Sequence, residues 1–313
     1  MRSTVPASAA IPARTPDDDR RRGFAAGVAA YALWGVLPIY FKAVAAVPAA
    51  DIVAHRVLWS VPFLAALLSA TGGWAKIAAT LRDARTMRLL LLTATLIAVN
   101  WLLYVYAVVS GHILAGSLGY YLNPLANVVL GRFVLKERLT RLQWLAVAIA
   151  AAGVSALLGG ALDQLWISLT LCFSFATYGL LRKIAAVDAI PGLAIETWLL
   201  MPFALGWLAW GIVAGQPTLD ANGGQTALLL LSGLVTTGPL LLFTAAARRL
   251  PYSTLGMLQF LAPTLQFLLA VFFYGEAFTR NHAIAFGAIW LALALYVASL
   301  LHSRRGTGAV ESV

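Results

Sequence analysis

The sequence predicts an all-α membrane protein with ten transmembrane helices arranged as two inverted five-helix repeats. Three observations carry this. Of 313 residues, 61% are hydrophobic and 11% charged, with a mean hydropathy of +0.84, where a soluble domain carries about 25% charged residues. The apolar residues form ten continuous runs, each near the roughly 20 residues a helix needs to cross the hydrocarbon core. A spacing of proline, glutamate and arginine recurs at a constant offset of 139 residues, from Pro124, Glu137 and Arg141 to Pro263, Glu276 and Arg280.

The composition excludes an ordinary soluble enzyme, a disordered chain and a nucleic-acid-binding domain. A net charge of +10 would suit a nucleic acid if the basic residues were clustered, but they are spread between apolar segments, as beside a lipid bilayer. The single cysteine, Cys172, excludes a disulfide within the chain and a cysteine-based metal site.

Taken in order, residues 1–22 read as a flexible cytoplasmic tail, with Pro6, Pro12, Pro16, Asp17, Asp18 and Asp19 ahead of Arg20, Arg21 and Arg22. The expected spans are 24–42, 50–70, 88–110, 113–135, 142–160, 163–183, 192–214, 225–247, 252–275 and 282–302. Their apolar runs are continuous and not alternating, which argues against a β-barrel. The run after the arginines is longer than a signal-peptide core and nine spans follow it, so it is retained as the first span. Spans three and four turn tightly at Gly111-His112, and spans eight and nine at Leu250-Pro251. Residues 304–313 form a short cytoplasmic tail.

Orientation follows from lysine and arginine placement. With the N-terminus in the cytoplasm, every one of the 22 basic residues except Lys42, Arg56 and Arg280 falls on the inner side. This alternation holds for ten spans, and nine or eleven would scramble it. Both termini are therefore expected inside.

Further repeat mates are Arg56 with Glu196, Pro62 with Pro202, and Lys42 with Lys183. The first repeat is set at 23–160 and the second at 161–303. Five helices is an odd number, so the second half enters the membrane from the opposite side, a pattern found in many secondary transporters. Duplication kept only for packing is the alternative.

Charged residues inside a span call for a reason. Arg56 either faces a central cavity and holds an anionic group such as a carboxylate, or snorkels to the outer interface. Glu196 either carries a proton for coupling or meets a cationic substrate group, or it pairs with Arg182 or Lys183. Each lies about 9 Å into its helix at 1.5 Å per residue, but from opposite sides, so the two are expected to guard opposite mouths of one cavity. Asn100, Tyr104, Asn123, Asn127, Gln259 and Gln266 need polar surroundings in lipid. Asn100 and Gln259 are expected on the substrate path, with Asn127 and Gln266 joining helices. Tyr104 and Asn123 are substrate-binding candidates with them. Tyr31 and Trp34, one turn apart, either stack on a substrate or pack. Pro124 and Pro263, as mates, predict a shared bend. Glu137 with Arg141 and Glu276 with Arg280 read as structural clips at span ends.

Ala-Tyr-Ala-Leu-Trp-Gly at 30–35, His-Arg-Val-Leu-Trp-Ser at 55–60, Val-Asn-Trp-Leu-Leu-Tyr at 99–104 and Ser-Leu-Gly-Tyr-Tyr-Leu-Asn-Pro-Leu at 117–125 are distinctive. So are Tyr-Gly-Leu-Leu-Arg-Lys at 178–183, Pro-Gly-Leu-Ala-Ile-Glu-Thr at 191–197, Thr-Ala-Ala-Ala-Arg-Arg-Leu at 244–250 and the segment from Ser253 to Glu276. Over about residues 23 to 302 the chain resembles the RarD branch of the EamA family, in the drug/metabolite transporter superfamily. The resemblance implies a ten-helix permease of the inner membrane whose relatives include exporters of amino acids and other metabolites.

A polytopic membrane enzyme and a non-transporting receptor or assembly factor are the alternatives. The four histidines, His55, His112, His282 and His302, make no metal-ligand motif. No phosphate-binding glycine loop and no paired carboxylates within a span are present. No cofactor and no metal are expected, and the partners are a small-molecule substrate, the bilayer and, through Glu196, protons.

Overall fold

The computed structural model describes residues 16–44, 46–109, 113–155, 165–215, 223–273 and 280–307, and the described secondary structure is helical. Helix α1 (Pro16–Ala43) begins earlier than the apolar run. Proline suits a first helical position, and Asp17, Asp18 and Asp19 in the first turn favour the positive helix end. Residues 16–22 are therefore helix and not tail. Helix α2 (Ala49–Thr71) ends at Gly72, whose positive φ of 64° supports the left-handed cap.

A short helix that the hydropathy reading passes over follows, α3 (Trp74–Arg82), with Ile77 and Thr80 buried and the rest of its face polar or exposed. Next come α4 (Ala84–Val109), α5 (Ile113–Phe133), α6 (Arg141–Ser155), α7 (Leu165–Ile184), α8 (Ala189–Val213) and α9 (Gly223–Arg249). The remainder of the expected span 142–160 lies outside the described residues, as do His112 and Glu276.

The expected single span 252–275 is broken. It forms α10 (Tyr252–Gln259), α11 (Leu261–Leu268) and a π-helical turn at Leu269–Phe273. The break at Phe260 lies just before Pro263, which lacks an N–H and whose ring crowds the carbonyl four residues back. Pro124 stands inside the continuous α5, so the bend expected to be shared is not shared in this form. The last helix, α12 (Arg280–Thr307), runs beyond 304.

Among the described residues, seven helices are long and apolar enough to cross a membrane: α1, α2, α4, α7, α8, α9 and α12. Their outward surfaces carry Leu102, Phe173, Phe203 and Trp210, all exposed, as a lipid-facing skin requires. The main core brings α1, α7 and α9 together through Tyr31, Phe175, Tyr178 and Phe243. A second core joins α5, α6, α10 and α12 through Val128, Ala150, Phe260 and Tyr296.

The described parts of α4, α5 and α6 begin at Ala84, Ile113 and Arg141, and those of α9, α10 and α12 at Gly223, Tyr252 and Arg280. Helices α2 and α8 start at Ala49 and Ala189, 140 apart.

Three corresponding pairs lie directly on one another, and in each the ends meet head to tail. Asp51 near the start of α2 accepts a 2.8 Å hydrogen bond from Trp207 Nε1 near the end of α8. Lys76, just past α2, reaches Asp188 at the start of α8 at 2.7 Å. Thr140 before α6 meets Ser299 late in α12 at 3.0 Å. Glu137 after α5 reaches the first residues of α10. Helices α2 and α8, α5 and α10, and α6 and α12 thus run antiparallel.

Candidate functional site

The site lies between α2, α4, α7, α8 and α9. The cavity there has a volume of about 10 Å³, and its lining includes Ser60, Trp101, Tyr178, Glu196, Thr197 and Thr236. That is room for about one water molecule.

At one end stands Arg56. Its Nε donates to Thr236 Oγ1 at 2.7 Å. Its guanidinium carbon lies 5.0 Å from the Trp101 ring centroid and 5.7 Å from that of Phe41, within cation–π range. Helix α2 delivers Arg56 and Ser60 on one face, being four residues apart, and the Ser60 hydroxyl donates to the Arg56 carbonyl at 2.5 Å. Close approach of α9 depends on Gly233, where a Cβ would lie 2.7 Å from Ser60 N.

At the other end stands Glu196, which is buried. Its Oε1 accepts from Thr93 Oγ1 at 2.5 Å and its Oε2 from Tyr178 OH at 3.3 Å. Arg182 Nη1 is 3.6 Å from Oε1, with both side chains withdrawn from solvent. Arg182 also donates through Nη2 to the Ala189 carbonyl at 3.3 Å. Its guanidinium lies flat against Gly192, where an added Cβ would sit 2.8 Å from the guanidinium carbon. Of the two basic residues expected beside Glu196, Arg182 takes the place. Lys183 donates instead to the carbonyls of Ala247 and Leu250 at the end of α9.

The other anticipated residues divide. Asn100 is buried and donates to the Leu171 carbonyl and Ser174 Oγ, each at 2.9 Å, while accepting from Tyr120 OH at 3.3 Å. It joins α4 to α7 and α5. Tyr104 packs edge-on to Tyr120, with 5.5 Å between centroids. Tyr31 and Trp34 belong to the aromatic core, Tyr31 fully enclosed and Trp34 against Phe175 and Phe243.

Gln259 accepts from Asn127 Nδ2 at 2.8 Å across the α5–α10 contact. Gln266 donates to the Trp34 carbonyl at 3.1 Å. Asn123 is buried in α5, with neither amide atom bonded. Glu137 forms no clip with Arg141 and accepts instead from Tyr252 N, Ser253 N and Ser253 Oγ.

Thr93, Thr236, Tyr178, Phe41 and Trp101 were not anticipated at the site. Tyr178 was within reach, because it lies four residues before Arg182 and so shares its helix face. The threonines carry no charge and stand among many small residues, so nothing in the sequence separates them.

This arrangement defines a class: a multi-pass helical membrane protein with a polar cluster buried between its helices. The EamA-like transporter family profile matches the chain twice, over residues 21–159 and 164–298, and the chain belongs to that family. It is 47% identical over 286 residues to a protein of Vibrio cholerae named "Uncharacterized transporter", covering 90% of this chain and 94% of that one. It is 46% identical over 297 residues to Protein RarD of Salmonella typhimurium, covering 91% and 97%. A solved crystal structure with 19% identity superposes with a TM-score of 0.69 over 88% of this chain and 97% of that one, which speaks to the fold alone.

Proposed function

We propose that the chain is a secondary permease of the cell inner membrane that moves a small metabolite or drug-like molecule outward by alternating access. The halves at 23–160 and 161–303 are the moving bodies, in a ten-span, inverted arrangement with both termini cytoplasmic. The observation that carries this reading is the antiparallel packing of α2 on α8, α5 on α10 and α6 on α12, each helix against its counterpart. Halves of similar structure and opposite direction have two arrangements of similar energy, and a site between them meets each side in turn. The double family match supports the same division, and the relatives' names include transporters and no enzymes among those reported above.

In this reading the structure is an occluded form. Glu196 lines a cavity too small for a metabolite, and Arg56 stands beside that lining through Thr236 and Trp101. Asn100 and Tyr104 lie on the Arg56 side, and Tyr31 and Trp34 support the aromatic wall. Glu196 is the group available to carry a proton, since it is a carboxylate on the cavity with hydroxyl partners.

Inverted membrane vesicles with and without the protein test the proposal, screened with labelled amino acids and chloramphenicol under an imposed proton gradient. Protein-dependent accumulation that a protonophore abolishes is the expected result. Absence of accumulation with folded protein across a broad metabolite panel would return the chain to the receptor or enzyme alternatives. A Glu196→Gln protein that transports with an unchanged pH profile would remove the coupling role.

A further inference from the structure

We infer that Arg56 anchors the substrate and that the substrate class is a monocarboxylate with an aromatic or apolar body. The inference rests on the permease reading and assigns chemistry to the same cavity. Basic residues at the helix ends are satisfied by acids or carbonyls. Arg182 faces Glu196, Lys183 meets two helix-end carbonyls, Arg248 meets Asp188 and Arg249 meets Asp19. Arg56 differs. Its bond to Thr236 engages Nε with a neutral hydroxyl, and among the described residues no acidic side chain lies within ion-pair distance of it. Its two Nη atoms carry no hydrogen bond to the described residues.

A guanidinium held through Nε presents its Nη edge as a planar pair of donors, which matches the two oxygens of a carboxylate. The Phe41 and Trp101 rings lie within cation–π range of the guanidinium and offer apolar surface to whatever follows the carboxylate. The tyrosines near it, Tyr40, Tyr104 and Tyr120, are neutral phenols, and no cation is among these neighbours. One positive charge matches one negative charge, so a dianionic phosphate would be left half compensated. The acid on the cavity, Glu196, is occupied by Arg182, Thr93 and Tyr178. The cavity therefore offers no free carboxylate for a substrate ammonium, and the favoured body is uncharged.

The test uses the full-length protein in detergent, titrated with N-acetylphenylalanine and with its uncharged amide, N-acetylphenylalaninamide. Binding is read by tryptophan fluorescence and by the shift in melting temperature. The acid is expected to bind saturably and about tenfold or more tighter than the amide, the scale set by a charge-assisted bidentate pair. Arg56→Gln should erase that preference. Arg56→Lys keeps the charge and loses the fork, and should weaken acid binding by about tenfold. It serves alone if the glutamine variant does not fold.

Equal affinity for acid and amide, a preference that survives Arg56→Gln, or no saturable binding of the acid would overturn the inference. The vesicle assay keeps the two readings apart. Accumulation that Arg56→Gln leaves intact removes this site and keeps the permease. Arg56-dependent binding of the acid without accumulation of any compound keeps the site and removes the permease.

Discussion

Glu196 and Arg182 are a buried pair whose worth lies in being complete. Each charge alone would be stranded in a low-dielectric interior, and removing one partner of a buried pair typically costs about 3–5 kcal/mol. Glu196→Gln keeps the volume and one acceptor oxygen for the Thr93 or Tyr178 hydroxyl, but it leaves the Arg182 guanidinium uncompensated against Gly192. That variant is expected to melt well below the parent. Adding Arg182→Met should recover most of the loss, because the double change removes both charges and the coupling between them. Additive losses in the four-member cycle, measured by thermal unfolding in one detergent, would show that the pair is not coupled. At this scale the sequence was legible where charge interrupts an apolar run, and so Arg56 and Glu196 could be picked out. It was opaque where partners are chosen by packing. Nothing in the run around Thr93 separates it from Thr95, which bonds its own helix at the Leu91 carbonyl.

Two elements are held by contacts from outside themselves. Helix α10 has eight residues and no cap of its own at Pro251, and Glu137 supplies one from the other half by accepting from Tyr252 N and Ser253 N. A carboxylate at a helix start meets free N–H groups and the positive helix end together. Glu137→Ala is expected to destabilise the protein by about 1–2 kcal/mol, with faster amide exchange confined to the first turn of α10. Unchanged protection of residues 252–255 would count against the cap.

Helix α3 is tied down through Lys76 to Asp188, which Arg248 also approaches at 3.2 Å. The Lys76 hydrogen bond, with the Lys76 and Arg248 charges, holds the Asp188 carboxyl below its ordinary value of 3.8. A carboxyl depressed in the folded state adds stability above the ordinary value and loses it as pH falls through the lowered one. Exchange at residues 74–82, corrected for intrinsic rates, should therefore rise only in strong acid. Asp188→Asn should show that rise already at neutral pH, and identical protection in the two proteins would refute the tie. Helix α3 escaped the hydropathy reading because its nine residues are too few and too polar to register as a span. The broken α10–α11 element escaped because an apolar run does not report where Pro263 interrupts the backbone ladder.

For the whole molecule, composition and the long apolar runs were enough to read a helical membrane chain, since each is a long-range average that survives local error. The direction in which corresponding helices lie on each other was not in those averages and comes from end-to-end contacts such as Asp51 with Trp207 and Lys76 with Asp188. Those two contacts tie α2 and α3 to α8 at both ends, across the division between the halves. Alternating access requires that ties at the two ends break in turn. A Lys76→Cys/Asp188→Cys protein, made with Cys172→Ala because Cys172 is buried and would confuse labelling only slowly, places two exposed thiols at one end. Bridging them with a short, reducible bifunctional reagent is expected to stop transport, and reduction should restore it. The singly substituted proteins treated with the same reagent should keep transporting. If the bridged protein transports at the parent rate, α3 and the start of α8 travel as one body. The division of the chain into two moving halves would then have to be drawn elsewhere.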